Sequence, residues 1–363
     1  MNNSNQNSLS IKTLLEMVFN RNASDLHLCV GTPPTLRIDG NLVPIPNQPI
    51  LTPEDTKRLA YSILTDEQKE MLEKEKEIDL SYSLENKARF RVNIYHQKGY
   101  ISIALRYLPY KIPTLEELGL PSVCNEFTKH SQGFVLVTGP TGHGKSTTLA
   151  SMINKINQER ACHIITIEDP IEYVFVHNKS IIDQRELHLD THSFARALRS
   201  VLREDPDVVL IGEMRDLETI AAAITIAETG HLVFATLHTN SAAQTVDRII
   251  DVFPAHQQPT IRTQLSNILL GIISQRLLPR IGGGRILATE VLFANPAVRN
   301  LIREGKSYQI QNIIQTGKEE NMISLDKNLA RLVQRGEITI ETGESFAVDV
   351  KFFHKLVAAQ IIE

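Results

Sequence analysis

The chain has little cysteine. Its 363 residues hold 3, Cys29, Cys124 and Cys162. They are scattered, with no C-x-x-C pair, which excludes a zinc clip or a disulfide framework as the organising device. Buried or half-buried thiols are the expectation for all three. No apolar run approaches the roughly 18–20 residues that a bilayer span takes, so direct membrane insertion is not expected. The polar, Asn-rich start, residues 1–8, lacks the charged and apolar regions of a signal peptide, and the expected location is cytoplasmic. A basic excess is missing as well. The 38 Lys and Arg against 42 Asp and Glu leave a net charge of −4, unlike a chain built mainly to hold nucleic acid. Nor is there a stripe of aromatic and basic residues on which a single strand would stack. No internal repeat or low-complexity tract appears. What remains is an ordinary globular balance, 42% hydrophobic and 22% charged, over a length suited to about two domains.

The first part of the chain mixes patterns. Ile11, Leu14, Leu15, Val18 and Phe19 form the stripe of an amphipathic helix over 11–20, after a start expected to be frayed. Residues 25–28 and 35–40 alternate like half-buried strands, with a turn signal at Asp39-Gly40-Asn41. Thr52 can cap a helix that starts at Pro53, and 65–76 reads as a second, highly charged helix. Strand patterning returns at 78–84, 89–95 and 100–108. This α+β block ends near Tyr110, and residues 1–110 are expected to form one domain. Residues 111–121, with Pro113 and Pro121, read as a linker, and 122–363 as the second domain. There the rhythm changes. Short apolar strands at 134–137, 163–167, 208–211 and 232–235 alternate with helices, which implies a parallel sheet covered on both faces. After Pro254 the chain reads as mostly helical, with apolar positions at Leu265, Ile268, Leu269, Ile272, Ile273 and Leu277 across 261–278.

One stretch carries specific chemistry. Gly139-Pro140-Thr141-Gly142-His143-Gly144-Lys145-Ser146-Thr147 matches G-x-x-x-x-G-K-[ST], a phosphate-binding P-loop. Gly139, Gly142 and Gly144 permit the backbone angles that aim N–H groups at phosphate oxygens. Thr141 and Thr147 belong to the same cradle. Lys145 adds a point charge at the β/γ-phosphates, and Ser146 offers a hydroxyl to Mg²⁺. A buried strand precedes the loop and a helix follows it, so a positive helix end faces the phosphates. The expected ligands are ATP and Mg²⁺.

A P-loop alone does not hydrolyse ATP; water must be oriented and charge balanced. Strand 208–211 runs into Gly212-Glu213, and the carboxyl ends of strands in such sheets face ligands. Glu213 is placed to activate water. Gly212 stands where a Walker B strand usually has aspartate. Glu168 and Asp169 form a second acidic strand end. His238, Thr239 and Asn240 end the strand that His231 precedes, and they are candidates to sense the γ-phosphate.

Three motifs in this order resemble those of the secretion and pilus motor ATPases, the type II/type IV superfamily. Residues 168–172 look like its Asp box, 205–216 like its atypical Walker B, and 229–240 like its His box. Ala297-Val298-Arg299-Asn300-Leu301-Ile302-Arg303-Glu304 is similar to the A-I-R-N-L-I-R-E motif of the PilT-type retraction ATPases, departing only at Val298. Residues 23–28, 31–34 and 267–277 match as well, so the resemblance covers nearly the whole chain. It implies an α/β fold in which a PAS-like α+β N-terminal domain precedes a RecA-like P-loop ATPase domain with a helical C-terminal region. It implies a homohexamer, nucleotide held between the domains, and N-domain arginines that reach the phosphates; here Arg91 and Arg106 match. The implied work is pilus retraction, with an inner-membrane platform protein as partner at the cytoplasmic face and pilin as the indirect load. Assembly ATPases carry a tetracysteine site that this chain lacks, which favours retraction. An accessory pilus subunit and a RecA-like nucleic-acid motor are the alternative readings. His143 stands where serine is commoner. In the 297–304 helix, Ala297, Val298, Leu301 and Ile302 form the apolar face. Alanine at the polar positions Arg299, Asn300 and Arg303 is therefore expected to leave the fold intact.

Overall fold

The computed structural model describes residues 9–38, 40–84, 88–108, 111–317 and 322–359. Of residues 1–10, the start expected to be frayed, 1–8 fall outside the described residues, as do Asp39 of the turn signal and Tyr110, whereas Ser10 caps the first helix. The chain divides into two compact units, Met1–Lys111 with Glu172–Val174, and Ile112–Ile171 with Phe175–Glu363.

The first unit opens with helix α1 (Ile11–Asn20), capped by the Ser10 hydroxyl and buried through Ile11, Leu14, Leu15 and Val18. Strands β1 (Asp25–Leu28), β2 (Thr35–Ile38) and β3 (Asn41–Pro44) follow, then helices α2 (Pro53–Tyr61) and α3 (Asp66–Glu75). Both helices begin with a reciprocal capping box, Thr52 with Asp55 and Thr65 with Gln68, which satisfies N–H groups that the helix itself cannot. Strands β4 (Glu77–Leu84), β5 (Ala88–Gln97) and β6 (Tyr100–Leu108) complete a six-stranded sheet of order β3-β2-β1-β6-β5-β4. Its pairings are antiparallel. Phe90, Val92 and Ile94 alternate into the core against the helices, as strand periodicity demands.

The second unit is built on a seven-stranded sheet of order β13-β12-β7-β11-β10-β8-β9. A short helix, α4 (Cys124–Phe127), precedes β7 (Gly133–Thr138), and α5 (Lys145–Glu159) leads to β8 (His163–Glu168) and β9 (Ile181–Glu186). Then come α6 (Phe194–Val201), β10 (Val208–Ile211), α7 (Leu217–Glu228), β11 (Leu232–Leu237) and α8 (Ala242–Asp251). Strands β7, β10 and β11 are buried at every position, the pattern of central parallel strands covered on both faces.

The expectation for 261–278 is corrected. Helix α9 (Gln258–Ile268) ends at Ile268; Leu269–Pro279 is strand β12, followed by β13 (Arg285–Phe293). β12 pairs parallel with β7 and antiparallel with β13. A strand buried on both faces shows no alternation, so its apolar residues mimic a helical stripe. Gly271 marks the difference, because a Cβ there would overlap the Phe127 ring and the Leu292 carbonyl. Helical structure resumes with α10 (Pro296–Arg303), α11 (Ile310–Thr316), α12 (Leu325–Gln334), α13 (Ile340–Phe346) and α14 (Val350–Ala358). The last three share a small core around Leu329, Leu332 and Phe353.

In α10, Val298 and Ile302 are fully buried and Leu301 half-buried, whereas Ala297 is exposed. The polar side is not idle. Arg299 Nη1 donates to the Ser266 and Asn267 carbonyls, both at 2.6 Å, and its Nε to the Ala294 carbonyl at 3.0 Å. Ser266 and Asn267 lie in the last turn of α9, whose carbonyls have no partners within the helix. Arg299 therefore locks α9 to α10, contrary to the expectation that its loss would leave the fold intact. Arg299→Ala is expected to destabilise the chain by about 2 kcal/mol, since hydrogen bonds to a charged group are the stronger kind. That corresponds to roughly 4–8 °C in melting temperature for a unit of this size. Thermal melts with and without the substitution check it, and an unchanged midpoint would show the contacts to be dispensable.

Candidate active site

Between β7 and α5 the chain turns with Gly139, Gly142 and Gly144 at φ of 142°, 78° and 82°, angles that favour glycine. Gly139 is required for a second reason, because a Cβ there would overlap the carbonyl oxygen of Gln275 on β12. Gly144 is the N-cap of α5, so the free N–H groups and positive end of that helix open onto the loop. Lys145, the first residue of α5, is buried, and its ammonium donates to the carbonyls of Gly139 at 2.9 Å and Pro140 at 3.0 Å. Ser146 and Thr147 follow, both half-buried.

The loop is tied to the next two strands of the sheet. Thr141 Oγ1 lies 3.4 Å from His238 Nδ1, and His238 Nε2 lies 3.0 Å from Glu213 Oε1. The two ring nitrogens of His238 thus face the Thr141 hydroxyl on one side and the Glu213 carboxylate on the other. Arg215 Nη2 donates to the other Glu213 oxygen at 2.8 Å. Thr141, His238 and Glu213 follow β7, β11 and β10, which are adjacent and parallel, so the chain of contacts crosses the carboxyl ends of three neighbouring strands. Burial pushes the Glu213 carboxyl up. The Arg215 hydrogen bond and charge outweigh it, helped by His238 and Lys145, and hold the carboxyl below its ordinary range.

Glu168 ends β8, the next strand over. Its Oε1 accepts from Thr166 at 2.7 Å and Gln184 at 3.2 Å. Gly212, where aspartate is usual, is explained by close approach: a Cβ would sit 3.2 Å from both Glu168 Cα and the Ile167 carbonyl oxygen. Of the other residues at the end of β11, Thr239 bonds Thr245 at 2.6 Å, and the Asn240 side chain accepts from Arg276 at 2.9 Å. They anchor α8 and β12. His231 bonds the Ile226 carbonyl at 2.9 Å, at the other end of the strand.

Arg91 and Arg106 belong to the first unit, where they sit opposite each other on β5 and β6. Arg106 is held by Asp25 at 3.0 Å, and Arg91 lies 4.0 Å from Asp79.

Sequence reasoning missed the support beneath the loop. The fully buried Gln275 accepts from Thr148 of α5 at 3.0 Å and donates to the His143 carbonyl at 2.6 Å. His143 Nδ1 in turn accepts the Leu277 N–H at 2.9 Å. Burial, with the charges of Arg276, Lys145 and Arg285, holds this imidazole below its ordinary pKa and so neutral. The histidine found where serine is commoner thus fastens the loop to β12. Recognising 269–279 as a strand next to β7 would have brought both residues to notice.

A glycine loop that runs from a central parallel strand into a helix, with a carboxylate at the end of a nearby strand, makes the second unit a RecA-like P-loop nucleotide-binding domain. The chain belongs to the type II/IV secretion system protein family, whose model matches residues 3–283. It is 48% identical over 339 residues to the type IV pilus retraction ATPase PilT of Pseudomonas aeruginosa, covering 93% of this chain and 98% of that protein. It is 50% identical over 309 residues to a twitching motility protein of Neisseria gonorrhoeae, 85% of this chain and 82% of that one. A crystal structure of the pilus retraction motor PilT with bound ADP superposes with a TM-score of 0.90 at 50% identity, covering 96% of this chain and 99% of that one.

Proposed function

We propose that this chain is a ring-forming motor that hydrolyses ATP to ADP and phosphate and spends the energy on retracting a type IV pilus. The observation that carries the reading is similarity along nearly the full length of both chains to a retraction ATPase. In this reading residues 1–110 and 122–363 act as separate domains of one subunit of a homohexamer. The ring works at the cytoplasmic face of the inner membrane on a platform protein, with pilin as the indirect load.

The residues divide the chemistry among them. Gly139, Thr141, Gly142, Gly144 and Thr147 form the phosphate cradle, and Lys145 turns its ammonium from the loop carbonyls to the phosphate chain. Mg²⁺ is commonly held by one or two protein oxygens together with phosphates and waters, so the Ser146 hydroxyl beside Lys145 fits as its protein donor. When bound, the ion neutralises charge on the phosphates. Glu213 orients the attacking water and accepts its proton. His238 keeps that carboxylate registered with the loop through Thr141. Glu168 supports the water shell from β8. Arg91 and Arg106 are proposed to balance phosphate charge. Their support is adjacent placement on an exposed sheet face, with Asp25 holding Arg106.

The test is made in the organism that carries the chain. Deleting the gene is expected to leave cells with excess surface pili and no twitching, restored by the intact chain and not by Glu213→Gln. Normal twitching in the deletion strain would overturn the reading.

A further inference from the structure

The end of β7 is overhung from both sides. Thr138, its last residue, pairs with Ser274 of β12 and with Leu237 of β11. Arg276 stands just past Ser274, and Asn240 just past Leu237. Arg276 Nη2 donates to the Asn240 side-chain oxygen at 2.9 Å and to its carbonyl at 3.2 Å, and Nη1 donates to the Gln275 carbonyl at 3.1 Å. Strands β12 and β11 are not neighbours, because β7 lies between them. The guanidinium therefore crosses the end of the strand from which the P-loop leaves. It also lies against the loop's first residue: a Cβ on Gly139 would come 3.6 Å from Nη1.

A second tie fixes the far side of the same turn. The buried Glu290 of β13 accepts the Ala242 N–H on Oε1 at 2.8 Å. Ala242 is the first residue of α8, where N–H groups have no partners within the helix. Residues 238–242 are thus gripped at Asn240 from β12 and at Ala242 from β13. His238 itself is exposed, and its 3.4 Å approach to Thr141 is long for a hydrogen bond. What holds its backbone in place is the grip on the residues that follow it.

We propose that Arg276 is a positioning residue for ATP hydrolysis: by holding Asn240 against the root of the P-loop, it keeps His238, and through it the Glu213 carboxylate, in register with bound phosphate. A planar fork of donors can bridge acceptors on two strands at once, which suits arginine and not lysine. In this role Arg276 touches neither the water nor the phosphates. The inference rests on the parts given above to Glu213 and His238.

The experiment is steady-state ATP hydrolysis by the purified full chain, with kcat and KM measured for Arg276→Gln, for His238→Ala and for the two together. Arg276→Gln is expected to lower kcat roughly tenfold, the worth of one charge-assisted hydrogen bond, with KM for ATP kept within about twofold. In the His238→Ala background the same change is expected to cost less than about threefold, because residues that act as a unit are not additive. Asn240→Ala, at an exposed position, keeps the test open if Arg276→Gln impairs folding; its expected loss in kcat is about threefold, again with KM held. An unchanged kcat in either folded variant, a loss confined to KM, or losses that multiply fully in the double variant overturns the inference. If His238→Ala leaves kcat unchanged, the role given to His238 fails and the inference with it. A slow His238→Ala chain beside a normal Arg276→Gln chain overturns the inference alone.

Discussion

Replacing Lys145 by alanine is expected to abolish ATP turnover. Its ammonium is buried within the loop and held by the carbonyls of Gly139 and Pro140, so it is already positioned for phosphate. Alanine removes the one charge that the loop itself supplies. Losing a preorganised group that stabilises charge in the transition state costs about 10²–10³-fold in rate, and a lysine that also contributes to ground-state binding is expected to reach the upper end. Phosphate release by the purified chain and binding of a fluorescent ADP analogue measure the two losses together. Turnover within about tenfold of the intact chain would remove Lys145 from the phosphate site.

Glu213→Gln is expected to separate binding from hydrolysis. The amide keeps the size of the side chain and a partner for His238 or Arg215, but it cannot take a proton. Loss of a general base costs about 10²–10⁴-fold, with ADP binding retained. Turnover reduced less than about fivefold would point to Glu168, the neighbouring carboxylate, instead. The pH dependence follows the same carboxyl. Its pKa is held below the ordinary range by Arg215, His238 and Lys145 against the opposing push of burial, so Glu213 is ionised at neutral pH. Its contribution to stability is present above the pKa of the unfolded chain and is lost as pH falls through the lower, folded value. The stability difference between the intact chain and Glu213→Gln should therefore shrink on acidification.

The parts of this chain that were legible in sequence share a property: their signals are local. Thr52 announces a helix start because the cap and the proline and acid of the first turn are neighbours in sequence. The P-loop is legible because one short stretch specifies both the glycine angles and the lysine. Glu213 and His238 could each be named as strand ends, but their 3.0 Å contact depends on β10 lying beside β11, and sheet order is not written in either segment. Gln275 and His143 were hidden behind the mistaken reading of β12. Arg299 was read as solvated because its acceptors are backbone carbonyls of Ser266 and Asn267, and a carbonyl leaves no mark in a sequence. Most helices and strands of the first unit were legible for a related reason, since their patterns are local; strand β3 (Asn41–Pro44), exposed along its length, shows no alternation of burial and was not read.

Gly212 carries a consequence for how this site can change over time. A Cβ at this strand end would sit 3.2 Å from the Glu168 Cα and the Ile167 carbonyl oxygen of β8, closer than a side chain ordinarily stands, so the backbone there would have to give by a few tenths of an ångström. A change to aspartate would therefore call for a small local shift between β10 and β8, and not for the new side chain alone. That tight contact disfavours a carboxylate at position 212 and leaves Glu213 as the acidic side chain next along the chain.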